Sequence, residues 1–138
     1  MVVLILALLE HPEHVRPVRL CLEAAGHEVC IVNCFSRAKA ILEGHPFDLI
    51  ISDVHLENGG SVFDFLKWVR ENPRSRTTPF VLFSLHPSHL SRYLAEGVQT
   101  AARYLGANKF VNMEEFDAAV LAGEIAELLP GRGFPKCA

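Results

Sequence analysis

Three polar residues stand where apolar runs end, and each is of a kind that handles phosphate or metal. Asp53 closes FDLIISD, Glu10 follows VVLILALL, and Ser84 closes PFVLFS. A carboxylate in such a place can attack phosphorus or bind a hard cation through oxygen. A second carboxylate adds anionic charge for that cation, and a hydroxyl can bond an oxyanion. Asp53 is therefore open to three readings: phosphate acceptor, metal ligand, or simply the first polar residue of a loop. Five of the seven histidines, His11, His14, His55, His86 and His89, fall on connections near the same points. Beside Glu10 and Asp53 they could hold Zn²⁺ or Ni²⁺, or bring positive charge to a phosphate. No HxH or HExxH spacing supports a dedicated metal centre, so solvent-facing loop histidines are the plainer expectation.

The elements that must position these residues alternate from end to end. Strand-like runs begin at Val2 (VVLILAL), Glu28 (EVCIV), Asp48 (DLIIS), Pro79 (PFVLFS) and Lys109 (KFVN). Helical patterns lie between and after them, near residues 14–25, 36–43, 61–71, 89–104 and 114–129. The central runs are apolar at consecutive positions, as expected of strands covered on both faces by helices. The pattern predicts an α/β, three-layer, doubly wound parallel sheet of five strands with right-handed crossovers, flavodoxin-like. Gly26 should stop the first helix, while Ser36 and Ser61 are candidate caps for the second and third. Open sheets of this kind bind ligands beyond the carboxyl ends of their strands, where Glu10, Asp53 and Ser84 would converge.

Composition limits the classes of function. The 138 residues suit one domain: half are apolar, and a formal net charge of −3 sets no strong field. The basic residues form no run, which argues against nucleic acid as a partner. Val2–Leu9 is too short an apolar run to span a bilayer, and no basic segment or cleavage site accompanies it, so a buried first strand and a cytoplasmic protein are expected. Cys21, Cys30, Cys34 and Cys137 form no CxxC pair. Cys21 in a helical pattern and Cys30 in a strand read as buried thiols. The first loop lacks the glycine-rich turn of a dinucleotide site and no GxSxG element occurs, so an independent enzyme is not indicated. Residues 1–129 form the expected domain, and 130–138, PGRGFPKCA, a flexible tail.

The ordered pieces LEAAGHEV, FDLIISDVHL, PFVLFS and LGANKFVNM resemble the receiver domain of two-component response regulators, the CheY-like family. The likeness runs from Val2 to about Leu129. It implies the strand order 2-1-3-4-5 and a phosphoryl group accepted on Asp53 from a histidine kinase or phosphotransfer protein. It also implies Ser84 as the hydroxyl that contacts the phosphoryl group and Phe110 as the aromatic that changes rotamer with it. Mg²⁺ would be held by Glu10, Asp53 and the backbone carbonyl of His55. The output would go to a downstream protein through the fourth helix, fifth strand and fifth helix, and a second copy of the chain is another partner the family admits.

Two departures make the resemblance atypical. Leu9 stands where the family has the first acid of its pair, and Met113 where it has a lysine at the end of the fifth strand; Glu114 replaces the proline that follows. Lys109 lies four residues earlier, roughly 13 Å away at about 3.3 Å per residue, and is not a simple substitute. Weaker Mg²⁺ binding and a damaged switch follow from the lost charges. SLHPSHLSRYLAEGVQTAARYLG is also longer than the usual family segment, and DVHLENGGS lacks a usual proline. The alternative reading is a pseudo-receiver, an interaction module that works without phosphorylation.

Overall fold

A computed structural model describes residues 3–53, 62–85, 97 and 99–129. His55, His86, His89, the Ser61 cap, most of the long segment after Ser84 and the 130–138 tail lie outside the described residues. Five strands form the sheet: β1 (Val3–Leu8), β2 (His27–Val32), β3 (Leu49–Asp53), β4 (Phe80–Leu85) and β5 (Lys109–Met113). Their order is β2-β1-β3-β4-β5, with every neighbouring pair parallel. The alternation predicted the parallel five-stranded sheet, and the resemblance its order. The helices are α1 (Pro12–Ala24), α2 (Phe35–Gly44), α3 (Val62–Glu71), a helical stretch at 99–105 here labelled α4, and α5 (Ala118–Ala126).

Because side chains alternate across a strand, consecutive apolar residues feed two separate cores. Ile5, Ala7, Leu49, Ile51, Val81, Phe83 and Val111 pack against Val18 and Leu22 of α1 and Leu121 and Ile125 of α5. Leu6, Leu8, Ile50, Phe80 and Leu82 face the other way, toward α2, α3 and Ala102 of α4. The result is three layers, with the strand ends that carry the polar residues along one edge.

Several boundaries differ from the sequence expectation. Gly26 follows α1 with φ +92°, a backbone angle that suits glycine after a helix. Ser36 is not the cap of α2: Cys34 occupies that position and Ser36 lies in the first turn. The Ser36 hydroxyl is 3.6 Å from Cys34 Sγ, and this contact, helped by the Arg37 backbone N–H, draws the exposed Cys34 thiol below its ordinary pKa. α5 begins later than expected because Asp117 caps it, its Oδ1 accepting the Val120 N–H at 3.1 Å. Of the two cysteines expected to be buried, Cys21 is; its thiol donates to the Ala118 carbonyl at 3.3 Å, and burial raises its pKa. Cys30 is only half-buried.

Candidate functional site

β3 ends on Asp53 in the middle of the sheet, flanked by β1 and β4. Its side chain is only 4% exposed as a residue, so the carboxylate sits below the surface rather than out in a loop. The register pairs Leu8 with Ser52 and Asp53 with Phe83. The chain leaving β1 therefore passes directly over the Asp53 carboxylate, and the Glu10 backbone N–H donates to Oδ2 at 2.9 Å. Ser84 follows Phe83 on β4, one residue beyond the partner of Asp53, and is half-buried. The topology thus gathers Glu10, Asp53 and Ser84 at one edge, as expected of strand ends in an open α/β sheet.

Leu9 and Met113 take different places. Leu9, 1% exposed, belongs to the core beneath α1 and α5, and its N–H donates to the Val32 carbonyl at 2.9 Å. The position is a packing position. Met113, at 6% exposure, joins the same core, and its thioether accepts the Asp117 N–H at 3.4 Å, just ahead of α5. Lys109 is committed elsewhere: its ammonium pairs with Glu124 at 2.6 Å and with Glu127. Burial opposes the charge on Lys109, but its hydrogen bonds to both glutamates outweigh it and raise its pKa. It ties β5 to α5 and offers nothing to Asp53.

One residue was misread from the sequence. His14 is no solvent-facing loop histidine: it lies in the first turn of α1, 7% exposed. Its imidazole meets His11 with ring centroids 5.1 Å apart and Phe83 at 6.3 Å, both edge to face. Nδ1 stands 3.8 Å from Asp53 Oδ1. Side chains in a first helical turn tilt toward the helix N-terminus, which carries this ring back over the strand ends. The proximity of two histidines to Glu10 and Asp53 was legible; the burial of one of them was not.

Among the described residues no group of three His, Cys, Asp or Glu side chains could hold a zinc or nickel ion, and His55, His86 and His89 lie outside them. Magnesium asks for less, since it keeps waters and binds through one or two carboxylates plus phosphate oxygens. Asp53 supplies one carboxylate at this edge, and the Glu10 backbone N–H bonds its Oδ2 at 2.9 Å.

Phe110 lies near the start of β5. It pairs with Leu82 across the sheet and packs half-buried against the core under α2, α3 and α4. Beside it a cleft of about 30 Å³ is lined by Gln99, Ala102, Arg103, Ala107, Asn108, Lys109 and Phe110 itself. That volume suits about a water molecule, not a metabolite.

The sheet order β2-β1-β3-β4-β5 with helices on both faces is the fold of response-regulator receiver domains. Solved receiver structures are similar to this chain over nearly its whole length. Vibrio cholerae chemotaxis response regulator CheY4 superposes with a TM-score of 0.78 at 22% identity, over 94% of this chain and all, 100%, of that one. The receiver domain of the Pseudomonas aeruginosa sensor histidine kinase PA1611, solved with magnesium in its active-site cleft, gives 0.77 at 17% identity, over 93% and 98%. The receiver domain of a histidine kinase from Syntrophus aciditrophicus gives 0.74 at 23% identity, over 98% and 96%. No family model and no curated protein matches the sequence, so the likeness is one of fold. Among the described residues no helix is long and apolar enough to cross a membrane.

Proposed function

We propose that this chain is an atypical signalling receiver that accepts a phosphoryl group on Asp53 and passes the signal on through protein contacts. The observation that carries the reading is the buried Asp53 carboxylate at the carboxyl end of a central strand, held by the Glu10 N–H at 2.9 Å. A carboxylate oxygen of Asp53 attacks the donor's phosphorus, the bond from phosphorus to the leaving group breaks, and an acyl phosphate remains. Glu10, Asp53 and the His55 carbonyl would hold Mg²⁺, which when bound offsets negative charge on the transferring oxygens. Ser84 would contact the phosphoryl group, with Phe110 reading it toward α4. The phosphoryl source would be a histidine kinase or a phosphotransfer protein, as the fold's known members suggest. The output surface would be α4, β5 and α5, and the domain would comprise residues 1–129.

The pseudo-receiver reading rests on a separate observation, the assignment of Leu9 and Met113 to the core. The two readings separate in one experiment. Incubation with acetyl phosphate and Mg²⁺ should add one labile phosphoryl group by intact mass, more slowly than in a receiver with a full acid pair and lysine. Asp53→Asn should abolish the adduct. An adduct that persists in that variant rejects Asp53 as the acceptor, and its absence from the wild-type chain leaves the pseudo-receiver.

A further inference from the structure

The buried imidazole of His14 is left unexplained by the acceptor chemistry. Nδ1 is enclosed and has no hydrogen-bond partner among the described residues. Buried polar atoms are rarely left so, because desolvation is uncompensated, and an exception needs a reason. The atom is not aimed at random. It faces Asp53 Oδ1 at 3.8 Å, too far for a hydrogen bond and close enough that a group carried on the carboxylate would enter its reach. Phe83 and His11 pack around the ring, so its orientation is supported by neighbours. Lys109 does not take the role, being engaged with Glu124 and Glu127, and position 113 is a core methionine.

We infer that His14 is the phosphoryl-contacting donor of this site: Nδ1–H hydrogen-bonds an oxygen of the group attached to Asp53. A donor from the first turn of α1 then does in this chain what a basic side chain from β5 cannot. The inference rests on the proposed acceptor role of Asp53 and adds the residue that holds the product. Donation by the N–H is sufficient, so a neutral amide in the same place should serve.

The test follows from that geometry. Asparagine places an amide nitrogen near the position of imidazole Nδ1, glutamine reaches past it, and phenylalanine fills the ring volume without a donor. Beryllofluoride affinity in the presence of Mg²⁺ would be measured by calorimetry for wild type, His14→Asn, His14→Gln and His14→Phe, with circular dichroism melts as the control for folding. The Asn variant should bind within about threefold of wild type. The Gln and Phe variants should bind more weakly by on the order of tenfold or more, the scale of a hydrogen bond to a charged group. The lifetime of the acetyl phosphate adduct should fall in the same order. Equal affinity in all four proteins overturns the inference while leaving Asp53 as the acceptor. Equal loss in all three variants also overturns it, because the position of the donor would then not matter. Should wild type bind no beryllofluoride and form no adduct, the acceptor reading itself fails and the inference with it. Because Asn and Gln carry the same amide, the comparison between them survives if the Phe variant does not fold.

Discussion

At the scale of single residues, the site edge combines one buried carboxylate with two positions given over to packing. The buried Asp53 carboxyl accepts the Glu10 backbone N–H, and the His14 imidazole lies near it. Met113 shows what replaced the lysine expected of the family. Its sulfur accepts the Asp117 N–H and its chain fills space beside Leu121 and Ile125, so the residue helps set where α5 begins. Met113→Lys therefore forces an ammonium into a position built for an apolar chain. The expected cost is about 1–3 kcal/mol of stability. For a domain of this size that is a fall in Tm of roughly 3–9 °C, read by calorimetry. A variant that keeps its Tm and binds beryllofluoride more tightly would show instead that the lysine has reached Asp53. Of the residues proposed for the site, Asp53, Glu10 and Ser84 were legible because they follow unbroken apolar runs. His14 was not, because periodicity does not reveal whether a loop-proximal imidazole folds inward or outward.

At the scale of elements, the lower edge of the sheet is fastened by a single arginine at the end of α3. The Arg70 guanidinium donates to the Gly106 carbonyl from Nε at 3.0 Å and Nη2 at 2.8 Å, to the Thr78 carbonyl at 2.7 Å, and to Asn108 Oδ1 at 3.0 Å. Asn108 in turn accepts the Phe80 N–H at 2.8 Å. One planar fork thus joins α3, the start of β4 and the turn between α4 and β5, and burial lowers the Arg70 pKa without threatening its charge. Gly106 is matched to it: φ is +108°, and a Cβ there would stand 2.9 Å from Arg70 Nε. Gly106→Ala should cost about 1–3 kcal/mol through backbone strain, with the clash added. Arg70→Lys should cost a similar ~2–3 kcal/mol, because a point charge cannot satisfy carbonyls on three segments. Urea denaturation with an unchanged m-value checks both, and a neutral Arg70→Lys would show that water replaces the fork. The strands and the glycine stop after α1 were readable from apolar runs and local residue type. This long-range arrangement was not, since the polar connector ENPRSRTTP gives no sign of which segment its carbonyls will meet.

At the scale of the whole molecule, the strands feed a core on either face of the sheet, so a perturbation at the strand ends bears on both. Ser52 and Asp53 show the arrangement: Ser52 is fully buried, and the next residue opens to the site edge. The parallel sheet was legible because consecutive apolar residues imply a sheet covered on both faces and the connecting patterns have helical length, while its order β2-β1-β3-β4-β5 was legible through the receiver-domain resemblance. Helix ends were less legible, as Cys34 and Asp117 show, since capping depends on where the chain turns after tertiary packing. If Asp53 is a working acceptor, occupation of its edge must stabilise the entire fold by linkage. Beryllofluoride with Mg²⁺ at a hundred times its Kd should add about 2.7 kcal/mol. At roughly 3 °C per kcal/mol the melting temperature should rise by about 8 °C. Mg²⁺ alone should add much less, because Leu9 has removed one anionic ligand, and EDTA should erase the effect of the pair. Asp53→Asn should melt at one temperature with or without the mimic. Amide exchange should slow beyond the site as well, at Phe110 and along residues 99–105, since Phe110 packs on that layer and pairs with Leu82 on the neighbouring strand. A rise in melting temperature without slower exchange there would mean that the site binds the phosphoryl mimic but does not communicate with α4. No rise in the wild-type protein, at mimic and Mg²⁺ concentrations that saturate an ordinary receiver, would leave the chain as a scaffold that acts through its surface alone.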